Sequence, residues 1–309
     1  STLLSVMHAH LRVLRELLDS SRSEAAQVRV SAAVSEAAAF AGRLAFDLGD
    51  YAAFQRHYRS AIQHAERSGD QLLNAYMIGS LGYWSVIAGD GEGRAMHLVE
   101  RARSLLPNHV PGIVEPWLAV FEASAHSIVG NVSQVLSALG RAEEAVGRDR
   151  EPWPWTGPLD PGRLMELRGF WAARLRLPDI SLPALHEGLQ SLGPEPSKWR
   201  GLALADLSEG YVLKEEIEEA CRWAGEAFSI GVELHSDRVV RRVATVRAQL
   251  APWKDTQAVR ELGERMVEGF DGGFVGSKAR ADSPCLPFTT GEEAPKGYGK
   301  PSVQHSVIS

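Results

Sequence analysis

The side chains best suited to acid–base chemistry are three carboxylates and one imidazole, Asp47, Glu166, Glu209 and His126. Such groups could pass protons to and from a hydrophobic substrate if the fold brought them together. Glu122 lies four residues before His126, so the two would share a helix face, where a buried pair is a simpler interpretation than catalysis. No GxSxG, HExxH or Walker motif accompanies these residues, so the sequence requires no catalytic residue.

A second set of side chains could bind an amphipathic molecule. Aromatic rings supply contact area, and arginine can hold a carboxylate or phosphate through two hydrogen bonds. The candidates, selected by the helix positions described below, are Arg43, Phe46, Asp47, Tyr76, Tyr83, Trp117, Ser124, Arg163, Glu166, Phe170, Arg174 and Glu209. The histidines and the two cysteines have no spacing typical of a metal site, and we expect neither a metal nor a cofactor.

These residues can meet only if helices position them, and the helical pattern is strong. Gly49-Asp50 separates two helical segments, and in the second Phe54, Tyr58 and Ala61 follow a spacing that indicates one buried face. Similar pairs recur with turns at Gly89-Asp90 and Gly130-Asn131. Repeats of about 34 residues with two helices each are typical of tetratricopeptide repeats (TPRs). The sequence therefore predicts an all-α, TPR-like right-handed superhelix of about five helical hairpins.

The predicted organisation has four parts. Residues 1–35 form lead-in helices, 36–236 form the TPR-like helical repeats, 237–270 form closing helices and 271–309 form a flexible tail without periodicity. The paired helices are predicted at 36–48 with 51–67, 71–88 with 94–106, 115–129 with 133–146, 163–176 with 182–191, and 202–213 with 216–230. Residues 149–161 contain four prolines and two tryptophans and are predicted to be an ordered loop.

In the TPR arrangement, one face of each first helix lines a concave groove. A small residue of that helix packs against its partner, and positions at fixed offsets from this residue face the groove. The small residues are Gly42, Gly82, Ala123, Gly169 and Ser208, and the offsets select the binding candidates given above. Arg238, Arg241 and Arg242 share a face of the first closing helix. Such a trio is usually a solvated face, and the alternative is that it docks a partner or a phosphate.

Composition narrows the class of protein. The formal net charge is -6, whereas a free-standing nucleic-acid-binding chain usually has a basic excess. No apolar run approaches the roughly 18 residues of a membrane span, and no signal peptide opens the chain. Two cysteines without a CxxC motif suit a reducing compartment. We therefore expect a cytoplasmic protein that does not contact a membrane.

Four strings carry a resemblance to a known family: LAFDLGDYAAFQRHYRSAI (44–62), WLAVFEASAHSIVGN (117–131), LADLSEGYVLKEEIEEAC (204–221) and RVVRRVATVRAQLAPWKDTQAVREL (238–262). Together they resemble the TPR-containing C-terminal region of actinobacterial helix-turn-helix regulators of the Cro/C1 (XRE) type. The resemblance implies sensing of a small molecule or peptide in the TPR groove, and often a homodimer. The DNA-binding head of such regulators is not part of this sequence, so we expect no direct contact of this chain with nucleic acid.

Three functions are consistent with these observations. The preferred one is a ligand- or peptide-sensing TPR module of a transcriptional regulator, which binds an amphipathic small molecule or peptide in its concave groove. A stand-alone TPR-fold enzyme of specialised metabolism is the first alternative, and it would use Asp47, His126, Glu166 or Glu209 on a hydrophobic substrate in the same groove. The second alternative is a protein-interaction scaffold.

Overall fold

A computed structural model describes residues 2–89, 93–146, 155 and 159–271. In this part of the chain all regular structure is helical, which confirms the predicted all-α class. The described residues form thirteen α-helices and a 3₁₀ turn at Ala251–Trp253: α1 (Thr2–Ser20), α2 (Glu24–Asp47), α3 (Tyr51–Ser68), α4 (Gln71–Ala88), α5 (Ala95–Ser104), α6 (Val114–Ile128), α7 (Val132–Ala145), α8 (Pro161–Arg174), α9 (Pro178–Leu192), α10 (Lys198–Leu213), α11 (Ile217–Glu233), α12 (Asp237–Gln249) and α13 (Gln257–Asp271).

The predicted helices from 51 to 270 all exist, with ends that differ by a few residues. The main difference is α2, which begins at Glu24 rather than at residue 36 and so crosses the predicted boundary between lead-in helices and repeats. Of the predicted loop at 149–161, the structure describes Trp155 and 159–161. The predicted tail beyond Asp271 lies outside the described residues.

Side-chain caps fix where several helices begin. Asp50 accepts a hydrogen bond from the Ala53 amide at 2.8 Å, and Asp160 does the same for the Arg163 amide at 2.8 Å. Such caps satisfy amides that have no partner within the first turn of a helix. Gly49, between α2 and α3, has φ of +80°, a conformation that side chains disfavour, so glycine makes the sharp turn possible.

Helices pack first within a pair and then between pairs. The pairs are α2 with α3, α4 with α5, α6 with α7, α8 with α9, and α10 with α11. The first helices of successive pairs also touch, since α6 contacts α4 and α8, and α10 contacts α8 and α12. Helix α12 therefore occupies the place of a further first helix at the end of this row.

The small residues predicted at the pair contacts have a clear packing role. A Cβ atom added to Gly42 of α2 would lie 2.8 Å from the ring of Tyr58 in α3, which is too close for any side chain. Gly169 of α8 approaches Leu185 of α9 in the same way. The predicted face of α3 is confirmed, since Phe54, Tyr58 and Ala61 are buried.

The buried apolar side chains form two clusters. The first extends from Leu11 in α1 to Trp171 in α8, and the second from Leu185 in α9 to Met266 in α13. Over the described residues, no helix combines the length and apolar composition needed to cross a membrane. The two clusters meet where α8 packs against α9. A separate polar and aromatic region between α2, α4, α10 and α12 contains the candidate site.

Candidate ligand-binding site

The end of α2 is held by the last helix of the row. Arg241 of α12 donates hydrogen bonds to the backbone carbonyls of Asp47, at 2.7 Å, and of Phe46, at 3.4 Å. These carbonyls belong to the last turn of α2, where the helix dipole favours a positive charge. The row of first helices therefore curves until α2 and α12 are in contact.

The side chain of Asp47 strengthens this contact by binding two cations. Its Oδ2 lies 2.7 Å from Nζ of Lys198, at the start of α10, and its Oδ1 lies 3.4 Å from Nη1 of Arg238 on α12. The Asp47 and Lys198 side chains are 29% and 34% exposed, so solvent reaches this pair. Arg238, at 13%, lies deeper.

Three aromatic rings surround Arg238. Its guanidinium carbon lies 5.2 Å from the ring centroid of Phe46, 5.0 Å from that of Trp84 and 5.5 Å from that of Trp199. Each distance is within the range of a cation–π interaction. Helices α2, α4, α10 and α12 thus each contribute a side chain to one contact region.

A small cavity of about 10 Å³ lies at the centre of this region. A cavity of this size has room for about one water molecule. We call the seven residues that line it the closing cluster: Arg43, Phe46, Asp47, Trp84, Lys198, Trp199 and Arg238.

A buried ion pair lies next to the closing cluster. Arg163 and Glu166 of α8 form a salt bridge, and the Arg163 guanidinium carbon lies 4.4 Å from the ring centroid of Trp199. The second carboxylate oxygen of Glu166, Oε2, is buried and makes no hydrogen bond among the described residues. Burial raises the pKa of Glu166, although Arg163 opposes the shift.

Glu209 belongs to a buried polar network between α10 and α12. Arg242 donates to Asp206 at 2.7 Å and pairs with Oε2 of Glu209, and Gln249 donates to Oε1 of Glu209 at 2.6 Å. Burial by itself would raise the pKa of Glu209, but Arg242 and Arg174 outweigh it and the pKa is lowered. Glu209 is therefore an ionised partner of Arg242.

The predicted aromatic candidates form a connected set. Tyr83 contacts the rings of Phe121, at 5.6 Å between centroids, and of Trp171, at 6.1 Å. The ring centroids of Trp117 and Phe121 lie 6.1 Å apart, and those of Phe170 and Trp171 lie 4.6 Å apart. The guanidinium carbon of Arg174 lies 4.4 Å from the centroid of the Phe170 ring. Tyr83, Trp117 and Phe170 therefore converge through Phe121 and Trp171.

Tyr76 and Ser124 have other partners. The Tyr76 hydroxyl donates to the carbonyl of Trp155 at 2.8 Å, and the two rings stack at 5.8 Å. Trp155 in turn donates from Nε1 to Glu36 at 3.0 Å, so this tryptophan of the predicted loop is fixed between α2 and α4. Ser124 is buried and donates to the backbone carbonyl of Phe121 at 2.7 Å, which leaves it no surface towards a groove.

Among the described residues, the candidate acids and bases make no hydrogen bond or ion pair with one another. Asp47 and Glu209 are each bound by arginine or lysine, as described above. His126 makes no side-chain hydrogen bond or ion pair with Asp47, Glu166 or Glu209 in the described part of the chain. The expected pairing of Glu122 with His126 is also absent there, because Glu122 pairs instead with Arg103 and Arg141.

The interpretation of the arginines on α12 as a solvated face is wrong. Arg238 and Arg241 bind the end of α2, and Arg242 binds α10. Their spacing of three and four residues, matched by the carboxylates Asp206 and Glu209 on α10, could have revealed this. Lys198, Trp84 and Trp199 were also missed, because the groove positions were counted only from the small residue of each first helix.

Neither the models of known protein families nor the curated proteins compared with this sequence give a match.

Proposed function

We propose that this chain is the ligand- or peptide-sensing module of a transcriptional regulator, a TPR-type superhelix whose inner face binds an amphipathic small molecule or peptide. The observation that carries the proposal is the position of Arg238. It comes from the end of the helical row and lies among side chains of α2, α4 and α10. A ligand that binds here would touch both ends of the row.

The TPR part of the proposal is supported by the packing. Five helical pairs follow one another, and each first helix from α6 to α10 contacts the first helices before and after it. Glycines sit at three of the expected pair contacts, Gly42, Gly82 and Gly169. Stacked helix pairs with small residues between them are typical of helical-repeat superhelices.

The sensing mechanism follows from the size of the cavity. Pockets for drug-sized molecules have volumes of about 300–1,000 Å³, whereas the closing cluster encloses about 10 Å³. An amphipathic ligand can therefore enter only if α2 moves away from α10 and α12. Binding would favour an open curvature over the closed one, by as much as the ligand's affinities for the two states differ.

The proposal is tested with 8-anilinonaphthalene-1-sulfonate, an amphipathic aromatic anion, by thermal shift and by fluorescence. Wild type should be stabilised, and the double variant F170A/R174A should lose that stabilisation while its circular dichroism remains helical. Phe170 and Arg174 contact each other and are partly exposed, so their removal should leave the helices folded. The loss of Arg174 also removes a charge that favours the ionised form of Glu209, so some loss of stability without ligand is expected.

The matched control is F40A/R59A, which removes an exposed phenylalanine of α2 and an exposed arginine of α3, neither of which lines the cavity. It should bind the dye as wild type does. Equal loss in both double variants would contradict the proposal. Loss of helicity in F170A/R174A would show that Phe170 and Arg174 belong to the core.

The regulator part has a separate test in the coding sequence ahead of Ser1. An in-frame helix-turn-helix segment would support it. A start codon immediately before Ser1, beside biosynthetic genes, would favour the enzyme instead.

A further inference from the structure

The closing cluster contains more positive than negative charge. Arg43, Lys198 and Arg238 line the cavity together with one carboxylate, that of Asp47. Asp47 is shared between Lys198 and Arg238. Arg43 makes no ion pair with a carboxylate in the described part of the chain. This local excess occurs in a chain whose formal net charge is -6.

Positive charge in this position is costly. Removing a cation from water costs several kcal/mol unless an anion compensates it. Burial lowers the pKa of Arg238, and Asp47 only partly opposes the shift; the nearby Arg163 adds to the lowering. The rings around Arg238 contribute cation–π attraction but carry no negative charge. A further anion among these cations would therefore be favourable.

We propose that the closing cluster binds the anionic group of the ligand, a carboxylate or a phosphate, between Arg43, Lys198 and Arg238. The inference rests on the function proposed above and adds the chemical class of the ligand. Arginine and lysine are the usual partners of these oxyanions, and arginine can bind them through two hydrogen bonds. A ring attached to the anion would lie against Trp84 or Trp199, which line the same cavity.

Asp47 occupies the place of that anion in the closed arrangement. Its carboxylate binds the two cations that the ligand would need, and it belongs to the last turn of α2. An incoming carboxylate or phosphate would replace Asp47 at Lys198 and Arg238. Replacement would remove the side-chain contacts of Asp47 and so weaken the attachment of the end of α2 to α10 and α12, which couples binding to a change of curvature.

The test uses the full chain and three probes in thermal-shift and tryptophan-fluorescence titrations. Benzoate and benzamide have the same ring but differ in charge, and inorganic phosphate supplies the anion without a ring. Sodium chloride at equal ionic strength controls for screening. Benzoate and phosphate should bind and benzamide should not. Benzoate bound more tightly than phosphate would identify an organic acid as the ligand class, and the reverse would identify a phosphate.

Two substitutions should change the affinity for benzoate in opposite directions. K198Q removes a cation from the cavity and should weaken binding about tenfold, the loss of one charge-assisted contact. D47N removes the competing carboxylate and should strengthen binding. The matched control pair is Lys214, directly after α10, and Asp179, whose Nζ and Oδ1 atoms lie 2.6 Å apart. Neither residue lines the cavity. K214Q and D179N should therefore bind benzoate as wild type does.

Several results would overturn the inference. Two concern the probes: equal stabilisation by benzoate and benzamide, or no difference between phosphate and sodium chloride. Two concern the variants: equal affinities of K198Q and K214Q for benzoate, or a D47N variant that binds benzoate no more tightly than D179N does. If K198Q does not fold, K198R keeps the charge and should retain binding, and D47N decides the question. If the benzoate and phosphate tests fail but F170A/R174A loses the stabilisation by the dye as expected, the anion site is ruled out and the sensing function stands. If the dye experiment fails as well, both proposals are ruled out.

Discussion

Arg238 on α12 lies 3.4 Å from the carboxylate of Asp47 at the end of α2, across 191 residues of sequence. Phe46, next to Asp47, belongs to the first apolar cluster, and Val240, two residues after Arg238, belongs to the second. A partly exposed ion pair contributes only about 0–1 kcal/mol. The contact between α2 and α12 therefore depends on the whole set of interactions, including the hydrogen bonds from Arg241 to the backbone of α2.

The contact of Arg241 with the turn after α2 can be tested by a glycine substitution. Gly49 and Gly69 have φ of +80° and +71°, so alanine is strained by about 1 kcal/mol at either position. A Cβ atom at Gly49 would also lie 2.9 Å from Nη1 of Arg241, whereas nothing lies within 4 Å at Gly69. G49A should therefore unfold at lower urea concentration than G69A.

The control for this prediction is the R241Q background, in which the shorter side chain should remove most of the difference between G49A and G69A. A difference that persists in R241Q would mean that the turn itself, and not the contact with α12, causes it.

The network around Arg242 should make stability depend on pH in the acid range. Because the pKa of Glu209 is lowered, its contribution to folding stability is fully present above about pH 4.5, the ordinary pKa of a glutamate. This contribution is lost as the pH falls through the lowered pKa. E209Q should cost about 1.5–3 kcal/mol at pH 7, the value of a hydrogen bond to a charged group. The difference in melting temperature between E209Q and wild type should become smaller below pH 4.5.

E219Q is the control for E209Q, because Glu219 forms an exposed pair with Arg222 on α11. Such a pair contributes little, so E219Q should shift the melting temperature far less than E209Q at pH 7. Equal shifts would show that the network is not a strong interaction.

The docking of α1 should weaken in mild acid. Nε2 of His8 lies 3.2 Å from Nε2 of His57 on α3, and the rings stack at 5.2 Å. Burial lowers the pKa of His57, with further lowering by His8, Arg15 and Arg56 and an opposing effect of Asp50. A lowered histidine pKa means that stability is full above about pH 6.5, the ordinary pKa, and falls as the pH drops from there to the folded value.

We therefore expect the melting temperature of wild type to drop between pH 7 and pH 5 more than that of H57Q. H64Q, a substitution on the same helix outside the histidine pair, should keep the wild-type slope. Identical slopes for wild type and H57Q would contradict the assignment.

Cys221 should react slowly with thiol reagents. Burial, with a smaller effect of Glu218, raises the pKa of the Cys221 thiol to about 11. The thiolate is the reactive form of a cysteine. Cys221 should therefore react with a thiol reagent at pH 8 about 100-fold more slowly than an ordinary cysteine does. The measurement uses C285S, in which Cys221 is the sole thiol, with the urea-denatured variant as control. Equal rates for folded and denatured C285S would contradict the prediction.

The helices could be predicted from the sequence because their signals are local. Gly49-Asp50 and Gly130-Asn131 mark turns within a few residues, and the buried face of α3 follows from the spacing of Phe54, Tyr58 and Ala61. These patterns also place the small residues that allow paired helices to approach closely.

The closing cluster could not be predicted in the same way. Its composition depends on how far the row of helices curves, which accumulates from small rotations between successive pairs. A slightly flatter row would leave Arg238 and Arg241 in solvent, where the sequence analysis placed them. The arginine spacing on α12 is the same in both cases, so only the tertiary structure separates the two outcomes.

The hydrogen bonds from Arg241 to α2 also bear on how the protein unfolds. In an open repeat array each unit supports only its neighbours, and terminal units can fray independently. Here the loss of α12 would remove support from α2, and the loss of α2 would remove support from α10 and α12. Melting of the region from α2 to α12 should therefore be a single cooperative transition, with both ends of the row lost together.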